Sequence, residues 1–192
     1  MFIYTDLLRA ALCCVASEKE ERKYLRGIHI TPTHIQATNG IAAVSMEHGS
    51  KTDIDAVFIL HGEIPATAEG TVFQQIDSQW IAAHMDDSRR PVGHNELELV
   101  GGNFPDLSKL LPTDVEPCDE FPPFSAELLA LPYRMFGAEF SSMPVKLNFF
   151  GPEKPCQILL NVAVNSFYGD PLLVIMPMKS TVFELYREAI KQ

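Results

Sequence analysis

Tyr24-Leu25-Arg26-Gly27-Ile28-His29-Ile30, then Thr31-Pro32-Thr33-His34, then Ile35-Gln36-Ala37-Thr38-Asn39-Gly40 and Ile41-Ala42-Ala43-Val44-Ser45-Met46, is the stretch on which the fold class turns. Ile28 and Ile30 flank His29, Ile35 and Ala37 flank Gln36, and Ala42, Val44 and Met46 keep the same interval. That is the two-residue period of strands with one buried face. Asn39-Gly40 offers two residues that tolerate positive φ, so a type I′ hairpin is expected between the second and third of these strands.

Upstream, Leu8, Ala11, Leu12 and Val15 recur at i, i+3, i+4 and i+7 and Asp6 stands where a helix dipole favours an anion, so residues 6–17 read as a helix. The charged run Glu18 to Lys23 ends it. Downstream, a further strand closes near Val57–Leu60, giving strand, helix and meander over residues 1–62. Residues 63–123 read differently: strand-like runs at Val72–Ile76, Trp80–Met85 and Glu96–Val100, no amphipathic helix, and an acidic, proline-rich linker from Asp114 to Pro123. A second unit, 124–179, begins with Ser125 as N-cap of Ala126–Phe136, where Pro132 predicts a kink or two short helical turns. Strands follow at Val145–Phe149, Gln157–Val164 and Leu172–Met176. Residues 180–192 read as a terminal helix, with a Thr181-x-x-Glu184 capping box and a stripe of Val182, Leu185, Tyr186 and Ala189. The fold class is therefore α+β, with a helix-plus-antiparallel-strand unit that recurs.

The chain has 192 residues, 46% of them hydrophobic and 21% charged, a globular composition. Its apolar runs fall short of a membrane span, and Met1 to Asp6 lacks a basic stretch ahead of an apolar one, so a cytoplasmic protein is expected. Cys13, Cys14, Cys118 and Cys156 form no C-x-x-C pair and read as reduced thiols. Phosphate loops and hydrolase or kinase signatures are missing; Gly101-Gly102 is too short to cradle phosphate. Asp86-Asp87 reads as a solvated loop and the six histidines as scattered surface or satisfied groups, so no cofactor, metal site or catalytic residue is expected. The net charge is −10, against a nonspecific nucleic-acid tail or an anionic membrane surface, yet residues 27–123 alone carry four cations and fifteen acids. The two ends hold 11 of the 15 cations, so a basic face on an acidic body is available if the ends meet in space.

Four segments carry a resemblance: Tyr24-Leu25-Arg26-Gly27; Ala37-Thr38-Asn39-Gly40; Gly102-Asn103-Phe104-Pro105-Asp106-Leu107 with Leu110-Leu111-Pro112; and Val174-Ile175-Met176-Pro177-Met178-Lys179. In that order they resemble the Y-L-N-G, A-T-D-G-H-R-L, G-x-F-P-D-Y…L-P and M-P-M-R-L segments of the bacterial DNA polymerase III beta sliding clamp family, in a shortened, phage-like form. Residues 1–113 look like the family's middle domain without the helix of its second half, and 124–179 like the closing half of its last domain.

The resemblance implies clamp-like, pseudo-symmetric units whose strands join across subunits into a ring around duplex DNA. It implies a homo-oligomer, a non-enzymatic role and no sequence readout. Arg9, Lys19, Arg22, Arg89, Arg90 and Arg134 are the DNA-facing candidates; Lys19, Arg22 and Lys23 read equally as solvated charges beside Glu18, Glu20 and Glu21. By the family's motifs, a cleft for polymerase or clamp-loader peptides would use Leu25, Thr38, Gly40, Pro112, Val174, Met176, Pro177 and Met178. Met176 and Met178 fit core packing as well, although methionine also suits a surface that repacks around different partners. Two departures stand out: Asn39-Gly40-Ile41-Ala42-Ala43 lacks the basic and aromatic rim of D-G-H-R-L, and Ser180–Gln192 extends past the family's last motif, where it would cover the cleft. The alternative function is a clamp-fold peptide-binding adaptor or decoy that does not encircle DNA; an enzyme of unrecognised type comes third.

Overall fold

A computed structural model of the chain describes residues 1–117, 121–137, 140 and 142–185. The first half-unit runs β1 (Phe2–Tyr4), α1 (Thr5–Leu12), β2 (Ile28–Ile30), β3 (His34–Thr38) and β4 (Ala42–Glu47). The next runs β5 (Ala56–His61), β6 (Gly70–Ile76), β7 (Gln79–Met85) and β8 (Pro91–Val100), with a loop over 62–69 where the first has its helix. The two halves exchange their first strands: β1 pairs with β6, and β5 with β2. β8 is long enough to pair with β7 over its first part and with β5 through Glu96–Val100, which joins the strand groups β1-β6-β7-β8 and β5-β2-β3-β4 edge to edge.

The last unit comprises α2 (Ala126–Leu129), α3 (Leu131–Phe136), β9 (Lys146–Phe149), β10 (Cys156–Leu159), α4 (Val162–Phe167) and β11 (Leu172–Ile175). β11 docks antiparallel on β4, with Leu173 opposite Val44 and Ile175 opposite Ala42. One sheet of 11 strands results, in the order β1-β6-β7-β8-β5-β2-β3-β4-β11-β10-β9. Leu7, Leu8, Ala10 and Ala11 of α1 are buried together with Ile28, Ile30, Ile35 and Ala37 in one core, and Cys14 reaches Met135 of α3. Phe136 and Tyr168 meet edge-on at 4.7 Å beneath the last unit.

Several expectations shift. The helix expected over 6–17 ends at Leu12, because the chain turns so that the Ala16 amide can donate to the Leu25 carbonyl at 2.7 Å. Asn39-Gly40 is not a type I′ turn: Gly40 has φ +90° but Asn39 is not positive, and the central pair is Gly40-Ile41. Asn39 closes this turn instead, its Oδ1 accepting from the amides of Ile41 and Ala42 at 3.0 and 2.8 Å. Positive φ at both central residues occurs at Asp77-Ser78, between β6 and β7. The strand expected over Gln157–Val164 stops at Leu159, because Asn161 caps a helix by accepting from the Val164 amide at 3.0 Å. Pro132 does split its helix in two, while Ser125 sits at the N-cap without a side-chain bond. The 114–123 linker is tied down: Glu116 N donates to Phe150 O and Met178 N to Pro123 O, both at 2.8 Å.

Gly169 marks the joint between units. Its carbonyl accepts from the Glu47 amide at 2.8 Å, its φ is +65°, and an added Cβ would overlap the Glu47 carbonyl oxygen. Gly49 has nearly the same φ, +67°, with open space around it. Gly49→Ala should cost only the left-handed strain of about 1 kcal/mol, whereas Gly169→Ala adds a backbone clash and should cost roughly 3 kcal/mol. Urea denaturation of the two variants measures the difference.

Candidate functional site

The β3–β4 turn and the strand leaving β11 form a groove. Thr38 Oγ1 donates to the Ala42 carbonyl at 2.7 Å and accepts from the Gly40 amide at 3.1 Å, which fixes the turn. Across it, Met176 N donates to Ile41 O at 2.8 Å, so the segment after β11 continues the ladder along the turn. Thr38, Gly40, Val174 and Met176 line this groove, with Ile41, Ala42, Ala43, Leu110 and Pro155, around a volume of about 60 Å³. That is far below the few hundred Å³ of a small-molecule pocket and suits one aliphatic side chain presented by a peptide. Ile41 stands 53% exposed at its rim.

The structure thus brings together four of the eight cleft candidates. Leu25 is 2% exposed and belongs to the core. Pro112, Pro177 and Met178 do not line the groove, and Met178 is bonded to Pro123 instead. Leu110 belongs to the motif segment Leu110-Leu111-Pro112 without having been a cleft candidate, and Ile41 lay beside Gly40; Pro155 carries no local signal, since only the β10–β11 pairing brings it in. The Gly102–Leu107 motif acts as a support: Phe104 stacks on His29 at 4.7 Å, Leu107 is buried, and Asp106 accepts from the Ser108 amide at 3.1 Å. Hydrogen bonds from Lys109 and then Ser108 hold the Asp106 carboxyl down at about 2, so it stays an anion and keeps the short turn that sets Leu110.

The six DNA-facing candidates occupy separate settings. Arg9 is committed: it pairs with Asp6 at 3.0 Å and donates to the carbonyls of Pro65 and Ala66 at 2.9 and 3.2 Å, clamping the loop that replaces the second helix. Arg22 grips Glu20 at 2.8 Å and holds its carboxyl at about 2. Lys19 and Arg134 line one open groove between α1 and α2–α3, with Glu127 lying 3.6 Å from Arg134. Arg89 and Arg90 lie on the β7–β8 turn, where the Arg90 amide donates to Asp86 at 2.8 Å; Arg89 shares a recess with Phe2, Tyr4 and Asp87. Exposed ion pairs of this kind are worth about 0–1 kcal/mol, so Arg22 and Arg134 can exchange partners at little cost, whereas Arg9 cannot without releasing the loop.

At the far end, Glu184 N and Leu185 N donate to Thr181 O, forming the first helical turn expected there. Val182 is half-buried and Leu185 58% exposed; Tyr186 and Ala189 lie outside the described residues. Among the described residues no group of three His, Cys, Asp or Glu could hold a metal ion, and no helix is long and apolar enough to cross a membrane.

No family model and no curated protein matches the chain. Solved structures do. The DNA polymerase III beta chain of Streptococcus pneumoniae superposes with a TM-score of 0.58 at 15% identity, covering 93% of this chain and 64% of that one. A protein assigned as a DNA polymerase III beta subunit, from Eubacterium rectale, gives 0.60 at 11% identity, covering 93% of this chain and 65% of its own. The chain has the α+β fold of DNA polymerase III beta subunits. It spans just under two thirds of the length of either.

Among the described residues the three cysteines, Cys13, Cys14 and Cys156, are all held as thiols, and Cys118 lies outside those residues. Burial pushes the Cys14 thiol up to about 12 and Cys156 to about 11, and raises Cys13 as well. At pH 7.5 Cys14 and Cys156 should react with iodoacetamide on the order of a hundredfold more slowly in the folded chain than in denaturant, because the thiolate is the nucleophile. Peptide mass mapping after timed quenching reads this.

Proposed function

We propose that the chain is a non-enzymatic, clamp-like processivity factor that encircles duplex DNA as a cytoplasmic homo-oligomer and docks polymerase or clamp-loader peptides in the Ile41–Met176 groove. The observation that carries this reading is the continuous sheet, in which one clamp-like unit is extended by another through β4 and β11. Its ends, β1 and β9, each leave a ladder edge open, and head-to-tail pairing of copies satisfies both. The two edges are complementary in net charge: exposed Lys146 sits on β9 beside the apolar recess of Phe121, Phe124 and Phe149, whereas three acids, Glu69, Asp86 and Asp87, and one cation, Arg89, border β1 beside Phe2 and Tyr4. A ring that slides needs contacts to phosphate without base readout, the role left to Lys19, Arg89, Arg90 and Arg134.

Light scattering should find an oligomer larger than a dimer, and the protein loaded on nicked circular DNA should survive high salt but leave once the circle is cut. A monomer at tens of micromolar that never shows topological retention removes the reading. The second reading, an adaptor that binds peptides without encircling DNA, draws on the pairing of Arg9 and Arg22 with acids and on the net charge of −10. In either case Ile41→Asp, at an exposed position, should leave the fold intact and weaken an apolar polymerase-derived peptide at least tenfold, about 1.4 kcal/mol, in a fluorescence titration. Peptide binding without DNA retention favours the adaptor.

A further inference from the structure

We propose that His84 is a pH-sensitive latch that holds loop 62–69, the segment standing where the second half-unit lacks a helix, against the sheet. A chain of buried polar groups leads from α1 to that loop. Thr5 Oγ1 lies 2.9 Å from Thr71 Oγ1, which lies 2.9 Å from His84 Nδ1; His84 Nε2 lies 2.6 Å from Asn95 Oδ1. Asn95 Nδ2 then donates to the carbonyl of His61, at the end of β5 where the loop begins, at 2.7 Å and to the loop carbonyl of Glu63 at 3.3 Å. Thr5, Thr71, His84 and Asn95 are all buried.

The far end of the chain sets its direction. Because the Asn95 nitrogen is spent on carbonyls, its oxygen must accept, so His84 carries its proton on Nε2 and its Nδ1 accepts from the Thr71 hydroxyl. A second proton on Nδ1 turns the Thr71 hydroxyl from donor to acceptor there and makes it donate to Thr5 Oγ1 instead. It also places a cation in a site whose surroundings oppose it. Burial disfavours the charge most, the Asn95 hydrogen bond favours it, and Arg9 on α1 and His94 on β8 disfavour it further. The other titratable groups on the surrounding elements are Tyr4 on β1, Asp6 on α1, which pairs with Arg9, Glu96 and Glu98 on β8, His61 at the end of β5, and Glu63 and Glu69 in the loop, while β6 carries none. The ring's two nitrogens are taken by neutral partners, Thr71 and Asn95.

An imidazolium there gains water most cheaply by opening the loop. β6 and β7 are held by a full ladder and β7 and β8 by a ladder with one irregularity at His84–Met85, whereas 62–69, with Ile64 packed on the core and Ala68 buried, is hydrogen-bonded to the rest by Asn95, by Arg9 on the carbonyls of Pro65 and Ala66, and by Glu69 N donating to Met85 O at 2.8 Å. Thr5 N also donates to Glu69 O at 2.9 Å, so the opening reaches the base of the β1 edge.

The sign follows from linkage. The closed state binds the His84 proton more weakly than the open one, so opening is independent of pH above the ordinary histidine range and grows as pH falls below it. The test pairs a ¹⁵N-imidazole titration of His84 with amide exchange at Ala68 and Glu69, whose amides donate to Pro65 O and Met85 O, in the full chain, corrected for intrinsic exchange. The Nε2–H tautomer at pH 7.5 is expected, with loop protection falling up to about tenfold per pH unit below about 6.5. His84→Gln should flatten that dependence. Loop protection that stays constant while His84 titrates, or that falls identically in the Gln variant, overturns the proposal. Should the variant not fold, the two wild-type readings decide by themselves.

Discussion

The β4–β11 ladder is the interaction on which the rest of the molecule depends. Ala42 to Met46 is buried residue after residue, which a strand tolerates only when sheet neighbours cover both of its edges and layers cover both faces. β3 covers one edge and β11 the other. Each ladder bond adds only about 0.5–1.5 kcal/mol net, but a buried amide or carbonyl left without its partner costs about 1–3 kcal/mol, so losing β11 would strand several such groups at once. The dependence runs both ways. The last unit has three short strands and three short helices, too little to bury a core alone, and it borrows the wall formed by β4 and α1. The groove exists only because of this ladder: Val174 opposite Ala43 is what brings a residue from each unit to the same spot.

Much of the fold was legible because it rests on local periodicity. Ile28–Ile30 and Ile35–Ala37 alternate as half-buried strands do, Ala42, Val44 and Met46 keep the interval although Ala43 and Ser45 are buried as well, and Pro132 removes a donor wherever it sits. α4 was not legible, since Val162 is 84% exposed and Phe167 54%, so its apolar run mimics a strand; only Asn161 signals a helix. The β3–β4 turn was missed by one residue because Asn39 uses its side chain, rather than a positive φ, to close the loop. Of the cleft candidates, motif membership brought in Thr38, Gly40, Val174 and Met176, but also Leu25, whose place in its motif reflects core packing. Pro155 could not be found, because its position depends on strand register and on nothing nearby in sequence.

Charge shows the same limit more sharply. A count of cations in the terminal segments suggested one basic face, yet the fold divides them among an internal clamp at Arg9, an exposed pair at Arg22 and a groove at Lys19 and Arg134, while Arg89 and Arg90 of the middle segment stand on a separate turn. Arg9 is the instructive case: its partners are backbone carbonyls of Pro65 and Ala66, available only because a loop replaces a helix there. The same replacement leaves Thr71, His84 and Asn95 to carry the loop's polar attachment. One deletion relative to the repeated pattern therefore explains both an unexpected arginine and an unexpected buried histidine.

Amide hydrogen exchange resolved by residue tests the central claim, that two clamp-like units form one cooperative sheet through β4 and β11. Under native conditions the amides of Leu172 and Val174, which face β4, should exchange only with global unfolding, at the same opening free energy as those of Ile35, Ala37 and Val44. If β11 instead opens at a much lower free energy while β2, β3 and β4 keep full protection, the last unit is an appendage and the account of a shared sheet is contradicted.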